Sequence, residues 1–229
     1  MRTTGLAAML ALTACGQAQP EPVRYPDANR PVAPIVAPRY SDERSRDNAG
    51  EAADVMRIAG VVPGMTVADI GAGEGYYTLR LAERVGSTGR VVAQDIVPAT
   101  RDALADRVSR ERLDNVYVRL GAADDPRLPA GSFDRVFMVH MYHEIVSPYA
   151  FMHRLRAALK PGARVVIVDS DRPTQSHGIP PALLTCELGA VGYRRVALTP
   201  LPRAASYVAV FEAGEAVAPA RIRPCRAGA

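Results

Sequence analysis

The run Thr66-Val67-Ala68-Asp69-Ile70 passes without a break into Gly71-Ala72-Gly73-Glu74-Gly75, and a helical pattern starts at Tyr76. A strand that feeds a glycine loop and then a helix needs a long crossover before the next parallel strand. The same alternation continues. Strands are predicted over 90–95, 116–120, 133–139 and 164–169, and helices over 76–85, 99–112, 149–159 and 181–190. A helix is expected from about Ser41 to Ala59, closed by Gly60 and Pro63-Gly64. A terminal strand pair is expected over 193–198 and 206–211. The central strands are apolar on both faces, so the expected class is α/β, a parallel sheet covered by helices on both sides. Such sheets bind ligands at the carboxyl ends of their strands.

Composition narrows the function. The 229 residues are 48% hydrophobic and 23% charged, which excludes wholesale disorder. No apolar run is long enough for a multi-pass membrane protein. The net charge of +4 comes from arginines interspersed with acids. No basic stripe results, and no nucleic-acid partner is expected. The cysteines, Cys15, Cys186 and Cys225, are scattered and lack a CxxC pair, so neither a disulfide framework nor a structural zinc site is expected. Cys186 reads as a small apolar core residue.

Four segments follow. Residues 1–14 hold Arg2 and a short apolar stretch, as an export signal does. They end in Leu12-Thr13-Ala14-Cys15, which resembles a bacterial lipobox. That resemblance implies a lipid on Cys15, a cell-envelope location, and membrane contact through this anchor alone; an unused signal would leave the protein in the cytoplasm. Residues 15–40 carry Pro20, Pro22, Pro26, Pro31, Pro34 and Pro38 and read as a semi-rigid linker. Residues 41–213 form the α/β domain, and 214–229 read as a flexible tail.

The glycines let the backbone turn tightly and approach a ligand. Helix N–H groups face the same place. A dinucleotide fingerprint, G-x-G-x-x-G, requires glycine where Tyr76 stands. Asp69 at the strand end suits a cation better than a pyrophosphate. S-adenosylmethionine brings an ammonium and a sulfonium and no phosphate. Asp95, which ends the second strand, can accept both hydroxyls of a ribose.

With these residues in order, followed by Gly121-Ala122-Ala123-Asp124-Asp125, Leu128-Pro129, Gly131-Ser132-Phe133-Asp134 and Leu159-Lys160-Pro161-Gly162, the chain resembles the class I S-adenosylmethionine-dependent methyltransferases over roughly 47–212. The nearest likeness is to the branch that methylates ubiquinone and menaquinone precursors. The resemblance implies a Rossmann-like, doubly wound, seven-stranded sheet, mostly parallel with an antiparallel last strand. It implies S-adenosylmethionine as cofactor and a small-molecule acceptor. The implied cofactor set is Asp69, Gly71, Ala72, Gly73, Gly75, Tyr77, Asp95, Ile96, Ala123, Asp124 and His140. The third block departs from its usual pattern, since Ala122 stands where an aspartate meets the adenine, and Asp124 is expected to supply that contact.

The fourth strand leads into His140-Met141-Tyr142-His143-Glu144. His143 or His140 is a candidate general base, with Glu144 to orient a histidine. His140, His143 and Glu144 as metal ligands are a weaker reading, because the H-E-x-x-H spacing is absent, and no metal is expected. Asp169 reads as a pocket residue or a loop cap, and His177 lies in a loop that can act as a lid. An export signal on a domain that needs a cytoplasmic cofactor leaves a second function class open, an envelope binding module without turnover.

Overall fold

The computed structural model describes residues 23–35 and 42–226. The export signal, Cys15 and the outer parts of the linker lie outside the described residues. Asp42 caps the first helix, α1 (Glu43–Ala49), by accepting from the Ser45 N–H at 2.9 Å. Gly50 then turns left-handed at φ 70°, so the single helix expected here is two, and α2 (Glu51–Ile58) leaves at a new angle. The order continues β1 (Thr66–Ile70), α3 (Tyr76–Val85), β2 (Arg90–Asp95), α4 (Pro98–Arg110), β3 (Val116–Leu120) and β4 (Phe133–Val139). It ends with α5 (Pro148–Leu155), β5 (Leu159–Asp169), α6 (Pro181–Ala190), β6 (Tyr193–Leu201) and β7 (Ser206–Ala213).

The strands form one seven-stranded sheet in the order β3-β2-β1-β4-β5-β7-β6. Only β7 runs against the direction of the other six, inserted between β5 and β6. This is the doubly wound, Rossmann-like sheet expected. The switch in strand order falls between β1 and β4, where β1 turns out into the glycine loop. Successive residues of β5 serve opposite cores. Val165 and Ile167 pack with Phe151, Leu155 and Leu184, whereas Val166 and Val168 pack with Val55, Tyr77 and Leu81. A strand apolar at every position is what a sheet covered on both sides requires.

Both flanking segments depart from the sequence reading. Part of the proline-rich linker is docked on the domain. Arg30 is buried, and its Nε donates to Glu187 Oε1 of α6 at 2.8 Å, with both side chains fully enclosed. Its Nη1 donates to the His143 carbonyl at 3.1 Å, and Tyr142 Oη donates to the other Glu187 oxygen at 3.0 Å. Thr174 Oγ1 donates to the Pro31 carbonyl at 2.7 Å. The described tail is also packed. Ile222 and Cys225 are buried in the α5–α6 core, and Cys225 forms a disulfide with Cys186. Two scattered cysteines are thus paired, because α6 presents Cys186 on the face that the returning chain crosses.

Arg30→Ala leaves Glu187 buried without its counter-charge, and loss of about 3–5 kcal/mol is expected in chemical unfolding. A loss under 1 kcal/mol would show that the strap is not part of the folded unit.

Candidate active site

The parallel register brings the motifs together. Ile70 sits opposite Gln94 of β2 and Met138 of β4, so the three strands end side by side. Beyond them opens a cavity of about 640 Å³, walled by the loop from Gly71 to Glu74, Asp95, Tyr77, His140, Met141 and the segment from His143 to Val146. A larger open groove of about 1260 Å³ runs along α3, away from the strand ends, and shares only Glu43 and Tyr76 with this cavity. The sheet topology and the converging polar groups assign the site to the smaller cavity.

Gly71 is left-handed at φ 66°, and a Cβ there would lie 2.8 Å from Met141 Cγ. The Gly73 N–H donates to Asp95 Oδ2 at 3.1 Å, and the Val97 N–H to Oδ1 at 2.9 Å. Each carboxylate oxygen keeps acceptor capacity for a vicinal diol. Asp69 is fully buried, and Thr78 Oγ1 donates to it at 2.6 Å. Burial pushes its carboxyl up to about 6, against the Thr78 hydrogen bond and the charge of Arg46; nearby Asp95 pushes it up further. Ala72, Ile96, Ala122 and Ala123 form a mostly apolar wall. Gln94 Oε1 accepts from the Gly71 N–H at 3.4 Å, while its Nε2 is buried with no partner among the described residues.

Two expected cofactor residues lie elsewhere. Asp124 does not line the cavity, since its carboxylate is paired with Arg154. Gly75 does not line it either. Its missing Cβ makes room for Leu104, whose Cδ1 would stand 2.4 Å away, so this glycine serves the packing of α3 on α4. Tyr77 does line the cavity, but its hydroxyl is turned back to donate to Glu51 at 3.2 Å.

The two histidines have different settings. His140 is left-handed at φ 53° and pairs through Nε2 with Glu51 at 2.9 Å. Burial opposes charge on Glu51, but His140 and Arg46 outweigh it and hold the carboxyl down at about 2. His140 is therefore a wall residue whose Nε2 is committed to Glu51, which does not suit that nitrogen to act as the base. His143 is buried, and its Nδ1 lies 2.9 Å from Asp169 Oδ2. Asp169, and not Glu144, orients it. Glu144 Oε1 stands 4.0 Å from His143 Nε2, and burial pushes its carboxyl up to about 7. His177 meets the His143 ring edge-on at 5.5 Å between centroids. Glu51, Arg46 and Gln94 escaped sequence reading. Glu51 alone had a legible signal, being an acid one turn before Val55 on the buried stripe of α2.

A family model described as a methyltransferase domain matches residues 67–162. The fold is the Rossmann-like methyltransferase fold. Nocamycin O-methyltransferase of Saccharothrix syringae is 45% identical over 74 residues, covering 32% of this chain and 26% of that protein. The ubiquinone/menaquinone C-methyltransferase UbiE of Hydrogenovibrio crunogenus is 29% identical over 121 residues, covering 52% of this chain and 48% of its own. The matches thus span about half or less of these relatives' length. Among solved structures, a SAM-dependent methyltransferase from Aquifex aeolicus superposes with a TM-score of 0.64 at 22% identity, over 76% of this chain and 97% of its own. The cyclase SpnF superposes with a TM-score of 0.62 at 14% identity, over 81% of this chain and 88% of its own. The architecture by itself therefore does not name a reaction.

The domain match and the curated relatives indicate S-adenosylmethionine as the cofactor. The donor set fits it. The cavity offers a diol acceptor in Asp95, a buried carboxyl for a cation in Asp69, and a buried amide N–H₂ on Gln94. Arg46 is the one basic aliphatic side chain among the described residues lining it, and it is paired with Glu51.

Cation binding favours ionised Asp69. Above its ordinary value the acid is held protonated until about pH 6, so affinity for S-adenosylmethionine should tighten about tenfold from pH 5 to pH 7 and then level off. Calorimetry on wild type and Asp69→Asn separates this carboxyl from Glu144, which titrates nearby. Equal slopes in both proteins would exclude Asp69.

Proposed function

We propose that the protein transfers a methyl group from S-adenosylmethionine to a small, apolar acceptor bearing a hydroxyl or an acidic carbon. The observation that carries this is one cavity lined by Asp95, Asp69 and His143, with Asp169 buried behind the imidazole and bonded to its Nδ1. When bound, the cofactor supplies a methyl on a sulfonium. Asp95 and Asp69 would hold that cofactor, whose methyl would pass to the acceptor as its carbon–sulfur bond broke and left a neutral thioether. The protein's part is to place the two molecules in line and exclude water, which can supply most of the rate. Asp169 accepts from His143 Nδ1–H and fixes the tautomer that leaves Nε2 able to take the acceptor's proton. Met141, Ile145, Val146 and Phe151 give the acceptor side an apolar lining. Relatives with about half their length matched are named for quinone substrates, which supports an aromatic acceptor of that kind.

Asp95→Ala should weaken S-adenosylmethionine binding about 100-fold, the worth of two hydrogen bonds to a charged acceptor. Asp124→Ala should change it less than twofold. A folded wild type that binds the cofactor but labels no quinol or phenol from a radiolabelled methyl donor would favour the binding module without turnover.

A second reading concerns location. We propose that the chain is exported and anchored by a lipid on Cys15. The Cys186–Cys225 disulfide supports this, since such bonds persist in oxidising compartments. Mass spectrometry of the native protein should find an N-terminal peptide starting at a lipidated Cys15, and a peptide that begins before it would overturn the reading.

A further inference from the structure

We propose that His143, Glu144 and His177 form a binding site for one divalent transition-metal ion at the acceptor end of the cavity. Their donor atoms all lie within 4.8 Å of one another, and all three residues line the cavity. His143 and Glu144 sit on the short 3-10 turn Tyr142–Glu144 that follows β4. His177 comes from the far loop, just after a second such turn, Thr174–Ser176. The spacing rules that argue against a metal apply to one helix, and here the third ligand arrives from another loop.

Three observations favour an ion here over a chance cluster. Asp169 holds His143 Nδ1 through both its oxygens, at 3.0 and 2.9 Å, so the Nε2 lone pair is aimed at the cluster. A carboxylate behind a ligating imidazole is the usual outer partner in metal sites. Second, His177 is a non-glycine residue held left-handed at φ 54°, a costly conformation that persists where the surroundings enforce it. Third, the Glu144 carboxylate accepts no hydrogen bond among the described residues, nor does the His177 ring form one. Both are only half-buried and can turn.

Nitrogen and oxygen ligands about 2.0–2.2 Å from an ion stand roughly 3–3.5 Å apart, so the cluster contracts slightly on binding. Two imidazoles and a carboxylate suit Zn²⁺, Co²⁺ or Fe²⁺ better than Mg²⁺ or Ca²⁺. Three protein ligands leave a position open toward the cavity. An acceptor hydroxyl bound there would lose its proton more easily and be fixed beside the methyl donor. With the ion in place His143 is a ligand and not the base: the ion would lower the pKa of the coordinated hydroxyl, and its proton would pass to solvent at the open mouth of the cavity before the alkoxide or phenolate oxygen takes the methyl group. That role rests on the methyl-transfer reading; ion binding itself does not.

The test is titration of the full-length protein, stripped by chelator, with Co²⁺ alone, followed by visible absorption. One equivalent should bind with a ligand-field band. His177→Ala, a loop substitution, should weaken binding at least tenfold and keep S-adenosylmethionine affinity within about twofold. Asp169→Asn should weaken Co²⁺ binding about 10–100-fold and shift the band, as a positioning residue does. Absence of Co²⁺ binding below 1 mM (roughly −4 kcal/mol), or the same affinity in His177→Ala, would overturn the proposal. Stoichiometric Co²⁺ without any S-adenosylmethionine binding would support the ion site and sink methyl transfer.

Discussion

The buried pair of Arg30 and Glu187 organises the acceptor side. A guanidinium out of contact with water has to satisfy its donors, and Arg30 does so with Glu187 of α6 and the carbonyl of His143. A segment outside the family match thereby fixes the backbone of a site residue. Tyr142 closes the same network through the second oxygen of Glu187. The His143 ring is held from below by Asp169 on β5 and its backbone from above by the strap. Few degrees of freedom remain for an imidazole whose direction matters.

The cofactor side follows a different rule. Its carboxylates are held by backbone N–H groups and one hydroxyl, which come with the strand ends and the glycine loop. The sheet supplies this half ready-made, and the acceptor half is assembled from two loops and a strap. A shared fold with divergent chemistry is the expected outcome.

Much of the core was legible because its signals are local. The runs from Thr66 to Ile70, Arg90 to Asp95 and Phe133 to Val139 are strands as read, and Asp95 and Asp69 line the cavity. Three of the differences share one cause, since each depends on a partner distant in sequence. Asp124 is drawn away by Arg154, His143 is oriented by Asp169 instead of its neighbour Glu144, and Cys186 meets Cys225. The tail after β7 carries no periodicity, yet Ile222 finds a groove in the α5–α6 core. Gly75 misled differently. Its place in a glycine loop suggested ligand contact, while a left-handed backbone at φ 90° and the close approach of Leu104 are what require it.

The disulfide also sets an order of events during synthesis. Cys225 follows β7 in the chain, whereas its partner lies on α6, before the last two strands. The bond can therefore close only after every strand of the sheet has been made. Arg30, made early, must wait for the same helix to bring Glu187. The acceptor corner is thus among the last parts of a newly made chain to become fixed, and oxidation of α6 acts as a late covalent latch on a helix that both flanking segments share.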